Sequence, residues 1–275
     1  MKLSFTDSGN KQERFVRPID CWEDTYEGYL LHLLDFDEGL RTVIEKLYNE
    51  LNSHSVDTTI MNISKLLRSR YTCYGMCWSR LEDSDAMWRI YSYGNRGIQL
   101  ISSKERLGRI IEEFGIAGKS YEISDVKYDI KSSEDAVKRI LVKNAKLNSA
   151  FFHKRPAFSH EEEVRAIINY VDNHKLIESF SASAIRTNYG FEDENTYSVS
   201  ERIQNAVSKS KVQDYYQNTA ATELFISINN IKEYIEGVRI HPLAEKWYVD
   251  LIIKLCKQNG LVCYGQSDLY KDIND

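Results

Sequence analysis

Proline is scarce in this chain: 275 residues contain three, and the 13 glycines gather into no linker-like run. Without Pro-rich or Gly-rich tracts, repeats or low-complexity stretches there is no seam at which to divide it. The simplest organisation is therefore a single α+β domain over 1–275. Cysteine is sparse as well. The five, Cys21, Cys73, Cys77, Cys256 and Cys263, form an odd set without a CxxC pair, which argues against a disulfide framework and suits a reducing compartment. Cys73 and Cys77 stand four apart in an extended-looking stretch with no second pair nearby, so buried thiols are expected there rather than zinc ligands, and no metal is called for. Also missing are an apolar leader core at the N-terminus and any run of roughly 18 apolar residues. The expected location is the cytoplasm, with no membrane partner. Finally, there is no excess of positive charge. Lys and Arg number 36 against 41 Asp and Glu, a net charge of −5, so nothing global favours nucleic acid.

What is present is ordinary globular material, 42% hydrophobic and 28% charged, enough for a large core. An extended segment over 15–24 leads into an apolar helix near 29–34. Leu40, Val43, Ile44, Leu47 and Leu51, then Ile60, Ile63, Leu66 and Leu67, recur at helical spacing and predict a helical insertion at about 36–70. Aromatic and cysteine-rich 71–78 reads as a strand, as does 97–101. Ser102-Ser103 caps a helix reaching Phe114. Strands follow at 123–128, 164–171, 224–228, 237–240 and 261–264, with helices at 136–147 and from His241-Pro242 to Lys257. An irregular excursion occupies about 181–219, with a helix near 200–210. This pattern predicts an α+β fold with a central mixed or split sheet flanked by helices.

Three constellations carry candidate chemistry. In the first, Glu161, Glu163 and Arg165 alternate with Val164, Ala166 and Ile168, which in a strand puts charge on one face and core on the other, with repeats about 7 Å apart. With Lys154 upstream and Arg165 on the strand as candidate ligand-binding cations, Glu163 is the candidate catalytic carboxylate and Glu161 its companion. Equally open is simple ion pairing of either acid with Arg165 or Lys154 on a partly solvated sheet face. In the second, Cys77-Trp78-Ser79-Arg80 runs through a polar loop to Met87-Trp88-Arg89-Ile90-Tyr91. Ser79 and Arg80 are its candidate ligand-binding residues, while the Trp and Met residues read as core. In the third, Trp22 to Glu27 forms an acidic turn in which Asp24 is either a helix cap or a pocket residue.

Taken in order, Trp22-Glu23-Asp24-Thr25-Tyr26-Glu27, Cys77-Trp78-Ser79, Met87 to Tyr91 with Gly97-Ile98, Val126-Lys127-Tyr128, Lys154 with Glu161, Glu163 and Arg165, the Gly237–Ile240 strand, a long helix and Gln266-Ser267-Asp268-Leu269 resemble a family of bacterial proteins known as domain of unknown function 2971. The chain departs from the family at its start, where residues 1–13 hold no tyrosine pair. The layout is distantly similar to abortive phage-infection proteins and ADP-ribosyltransferases. That similarity implies an ADP-ribosyltransferase-like split sheet, NAD as substrate, and a phage-defence or toxin-like role. Under it Glu163 contacts the nicotinamide ribose, Glu161 orients the acceptor, Ser79 braces the pocket, and Arg80 or Arg165 holds phosphate.

Three functions stay open at this point. One is an NAD-using ADP-ribosyltransferase or NAD glycohydrolase. Another is a non-catalytic nucleotide-sensing or protein-binding module. The last is a metal-dependent nuclease, disfavoured because the Glu-x-Glu spacing with Lys154 does not form a compact ion site.

Overall fold

Bulky residues alternate with small ones through Cys73-Tyr74-Gly75-Met76-Cys77-Trp78-Ser79, so Tyr74, Met76 and Trp78 project to one side of a strand and Cys73, Gly75, Cys77 and Ser79 to the other. That strand organises the larger of two sheets. The computed structural model of the chain describes residues 4–5, 11–16, 22, 28, 69, 72–114, 120–136, 139, 149–170 and 223–271. The strands are β1 (Ser4–Phe5), β2 (Lys11–Val16), β3 (Cys73–Ser79), β4 (Ile98–Ile101), β5 (Ser120–Asp125), β6 (Glu163–Asn169), β7 (Glu223–Ser227), β8 (Gly237–Ile240) and β9 (Val262–Gln266). The helices are α1 (Asp85–Tyr91), α2 (Lys104–Glu113), α3 (Ser133–Ala136), α4 (Ile231–Tyr234) and α5 (Lys246–Asn259).

The larger sheet runs β1-β2-β3-β6-β5, with β7 also paired to β2, and every pairing in it is antiparallel. The smaller sheet is β4-β8-β9, antiparallel between β4 and β8 and parallel between β8 and β9. The long α5 makes the crossover that a parallel pair requires. An α+β fold with more than one small sheet is thus what the sequence pattern forms.

One core fills the space between the sheets. Tyr74, Met76, Ala166, Ile168 and Phe15 from the larger sheet meet Val238 and Ile240 from the smaller, together with Leu107, Ile110 and Ile111 of α2 and Ile252 and Cys256 of α5. Each such aliphatic side chain contributes about 1.5–3 kcal/mol by leaving water. The N-cap of α2 is the expected one, Ser103, whose hydroxyl accepts from the Arg106 amide at 3.3 Å.

The opposite face of β3 and β6 is also covered. Trp22 lies against Gly75, where a Cβ would meet the indole at 2.7 Å and Ile167 at 2.9 Å, so only glycine admits the ring. Phe151 meets the same indole edge-on, with ring centroids 6.2 Å apart. This second layer corrects the expectation of a solvated charged face on β6: Glu163 through Ile168 are buried on both sides.

Other boundaries move for local reasons. β5 begins at Ser120 and ends at Asp125 rather than spanning 123–128, because its polar start hides the alternation and Lys127 leaves the ladder to bridge His153. The last helix starts at Lys246, not at Pro242, because the His241 ring accepts from the Leu243 amide and its carbonyl from Ala244, closing a turn first. Residues 85–91 form α1, which takes in the end of the expected polar loop and the aromatic run 87–91. Ser84 at its N-cap, Asp85 in its first turn and the Asp85–Arg89 pair are its signature. The expected helices at 29–34 and 200–210, the insertion at about 36–70 apart from Ser69, the excursion at about 181–219, most of 136–147 and the candidate Asp24 lie outside the described residues. Among those described, no helix is long and apolar enough to cross a membrane.

Candidate functional site

The site starts with a break in the chain's direction. Pro156 stands at the first position of a 3-10 turn, Pro156–Glu161, and Glu162 then takes a left-handed conformation, φ 42° and ψ 53°. A non-glycine residue there carries about 1–2 kcal/mol of strain. The Glu162 carbonyl accepts from the Arg80 amide at 2.9 Å, and its own amide donates to Ser159 at 3.3 Å, which fixes the bend. Strand β6 begins only at Glu163. Glu161 therefore does not share a strand face with Glu163 and Arg165, as alternation predicts; it reaches the same place from the preceding turn.

Four charged side chains converge at this bend, and all are buried. The Lys154 ammonium donates to Glu161 Oε2 at 2.6 Å and to Glu163 Oε2 at 3.4 Å. Arg165 donates from Nη2 to Glu163 Oε2 at 2.7 Å and from Nη1 to the Phe151 carbonyl at 2.6 Å. Its guanidinium lies 4.2 Å from the Trp22 ring centroid, and the Lys154 ammonium lies 4.5 Å from that of Phe158. The ion pairs that the sequence left open are thus made, but inside the protein, where mutual attraction is far stronger than at a surface. Both cations bind the same oxygen of Glu163, Oε2.

Burial pushes the Glu163 carboxyl upward, yet Arg165, the Cys77 thiol and Lys154 together outweigh it and hold the group below its ordinary 4.5. Glu163 is therefore ionised at neutral pH. The Tyr91 hydroxyl donates to Glu161 Oε1 at 3.3 Å, and partial desolvation of that hydroxyl, then the charge of Glu161, pushes its pKa up to about 12, although the residue as a whole is 63% exposed, so it stays protonated. The Ser79 hydroxyl donates to the Glu161 carbonyl at 2.7 Å. The Tyr128 hydroxyl accepts from the Glu163 amide at 2.7 Å, which gives the Val126-Lys127-Tyr128 motif its place at the start of β6.

Glu161 and Glu163 form part of the wall of a cavity of about 900 Å³ between the end of β3, the smaller sheet, α1 and α5. Trp78, Trp88 and Tyr91 supply aromatic surface, and Leu81, Ile235, Val238, Ile252, Leu255 and Leu261 supply much of the apolar wall. The Trp78 indole nitrogen is buried without a hydrogen-bond partner among the described residues. A second group of contacts holds the aromatic wall in place. Asp83 accepts from the Trp88 indole at 2.7 Å and from the Ser267 hydroxyl at 2.6 Å, while Gln266 donates to the Pro242 and Ala244 carbonyls at 2.7 and 3.0 Å. The C-terminal Gln266-Ser267 motif thereby ties β9 to the rim of the cavity.

Of the residues singled out in the sequence, Ser79, Glu161 and Glu163 line the cavity. Lys154 and Arg165 stand behind the two carboxylates. Arg80 points away: half-exposed, it donates to Asp125 at 2.9 and 2.5 Å. Tyr91, Trp78 and the α5 wall were not among the candidates. Tyr91 sits 70 residues from Glu161, and only its place in the aromatic run 87–91 hinted at it. The α5 residues carry no chemical signal apart from their helical spacing. Among the described residues no three His, Cys, Asp or Glu side chains are grouped to hold a metal ion.

Residues 87–166 match the model of a family described as a protein of unknown function, DUF2971. The matched stretch runs from within α1 to the middle of β6 and contains Tyr91, Lys154, Glu161, Glu163 and Arg165. It supports the resemblance read from the sequence over that span, and the family's description names no activity. No curated protein and no solved structure matches the chain.

Proposed function

We propose that the cavity binds a nucleoside-bearing small molecule and that Glu163 faces its anomeric carbon, making the protein an NAD-using transferase or glycohydrolase. One observation carries this reading. Two buried carboxylates on one cavity wall hold a single ammonium between them at 2.6 and 3.4 Å, so the oxygens it bridges lie no more than about 6 Å apart, a separation compatible with paired carboxylates in glycosyl transfer. Glu163 is ionised, as a group that stabilises an oxocarbenium-like transition state must be. Tyr91 and Lys154 hold Glu161 in place beside it. Apolar walls around a charged centre strengthen every such interaction by excluding water. Arg80, engaged with Asp125 outside the cavity, has no part in this scheme, and neither Arg165 nor Lys154 is a phosphate clamp because both are committed to the carboxylates.

The test is consumption of NAD by the purified chain, followed by release of nicotinamide. Turnover that falls at least 100-fold in Glu163→Gln, with the variant still folded, is expected. Absence of NAD turnover together with absence of any NAD-induced rise in Tm would sink the proposal. A second reading is favoured by the mutual satisfaction of the four charges, a resting arrangement that needs no reaction to explain it: the cavity holds a nucleotide without converting it. In that case NAD raises Tm by mass action and remains intact.

A further inference from the structure

We infer that the cavity selects its ligand by positive charge, taking an N-alkylated aromatic cation, such as the oxidised nicotinamide ring, in preference to its neutral counterpart. This builds on the cavity's being the ligand site proposed above, and specifies what is recognised there. The four buried charges of Lys154, Glu161, Glu163 and Arg165 sum to zero, but they are not symmetrically placed. The carboxylates form part of the cavity wall, whereas the cations lie behind them. A neutral group so arranged presents a negative edge to whatever enters. Lys154 and Arg165 both donate to Oε2 of Glu163, and neither cation is part of the cavity lining. An ionised carboxylate so placed, in a cavity of otherwise mostly apolar lining, attracts a diffuse organic cation more than it attracts a neutral ring of the same shape.

The remaining wall suits the same ligand. Trp78, Trp88 and Tyr91 line the same cavity, and an aromatic face presented there attracts a planar cation. A quaternised ring nitrogen has no proton to lose, so its charge persists in an apolar surround where an amine would shed a proton. A compact inorganic cation, by contrast, needs several oxygen ligands, and the described residues do not group them.

The experiment is isothermal titration of the full-length wild-type chain at pH 7 with three matched pairs: N-methylnicotinamide cation against nicotinamide, NAD⁺ against NADH, and phenyltrimethylammonium against tert-butylbenzene, the last pair followed by displacement of a bound fluorescent dye. The expected result is affinity at least tenfold tighter for the charged member of the pairs that bind. Glu163→Gln, or Glu161→Gln where the first variant does not fold, reduces that preference to less than threefold while leaving the neutral member's affinity within a factor of about two. Equal binding of charged and neutral members overturns charge selection, and leaves the NAD reading standing if NAD⁺ and NADH both bind. Preference for phenyltrimethylammonium with no binding of either pyridinium supports charge selection and removes NAD as the ligand. No binding by any of the six compounds overturns both.

Discussion

Two clusters of oppositely charged side chains sit at the same end of the larger sheet, and they differ in almost everything except the kinds of residue they use. At the start of β6, Lys154, Glu161, Glu163 and Arg165 are buried together. At the ends of β3 and β5, the two strands flanking β6, Arg80 and Lys104 of α2 both engage Asp125, with side chains roughly half exposed. In register, Asp125 pairs with Val164 and Ser79 with Glu163, so a shift of one residue along the ladder separates the inside cluster from the outside one. Side-chain type therefore says little about an ion pair's weight, and solvent says most of it. Outside, water and salt screen the pair and the fixed geometry costs side-chain entropy. Inside, each charge has been stripped of water and depends on its partners.

The comparison breaks most visibly at Lys154. Replacement by Met keeps the volume and removes the ammonium shared by both carboxylates, leaving Arg165 to offset two buried negative charges. Loss of a partner from a buried pair costs about 3–5 kcal/mol, and the expected outcome in urea denaturation is a fall in ΔG of that size at pH 7. Neutralising one of the two negative charges relieves part of the loss, so the deficit is smaller at pH 4 than at pH 7. A loss below 1 kcal/mol would mean that the buried cluster behaves like a surface one.

A smaller effect sharpens the contrast through pH. Glu163 has a native pKa below its ordinary 4.5, so it binds a proton less readily folded than unfolded. Its contribution is fully present above 4.5 and is lost as pH falls through the lower native value. Glu163→Gln keeps a hydrogen-bond acceptor but no charge, and about 2–3 kcal/mol is expected to be lost at pH 7. The difference from wild type then shrinks on acidification below pH 4.5 and is unchanged from pH 6 to 8. Calorimetric Tm values of both proteins across that range decide it; a difference that grows toward acid would reverse the assigned sign.

How much of this was readable beforehand depends on the distance over which each residue's partner lies. β3, β4, β8 and α2 were legible because their signals are local: alternation in Tyr74, Met76 and Trp78, and a Ser103 cap before Leu107, Ile110 and Ile111. The grouping of Lys154 with Glu161, Glu163 and Arg165 was legible for the same reason, since all four fall within twelve residues of sequence. Their burial was not. It follows from Trp22 closing over Gly75 and from the Phe151 carbonyl reaching Arg165, contacts that alternation along β6 does not reveal. Period-two spacing continues through Glu161 and places it on the strand, whereas Pro156 and the left-handed Glu162 end the pattern just before Glu163. Arg80 was a reasonable ligand contact on type and neighbourhood alone. Its partner Asp125 stands 45 residues away and turns it outward.

The outer cluster supplies the smallest effect and the cleanest control. Asp125 is held below its ordinary 3.8, chiefly by the hydrogen bond from Arg80, with Lys104 adding to it. Taken at face value that depression promises stability at neutral pH, lost in acid. Exposure discounts it: with both partners half in water, the charge is screened over a Debye length of about 8 Å at physiological salt, and the unfolded chain solvates the same groups almost as well. Asp125→Asn is therefore expected to shift Tm by no more than about 1 °C at 0.15 M salt, with any difference vanishing at 1 M, and to leave the NAD binding proposed for the cavity unchanged. A larger loss that resists salt would show that Asp125 is coupled through Arg80 and the Glu162 bend to the buried charges, and the two clusters would then have to be treated as one network.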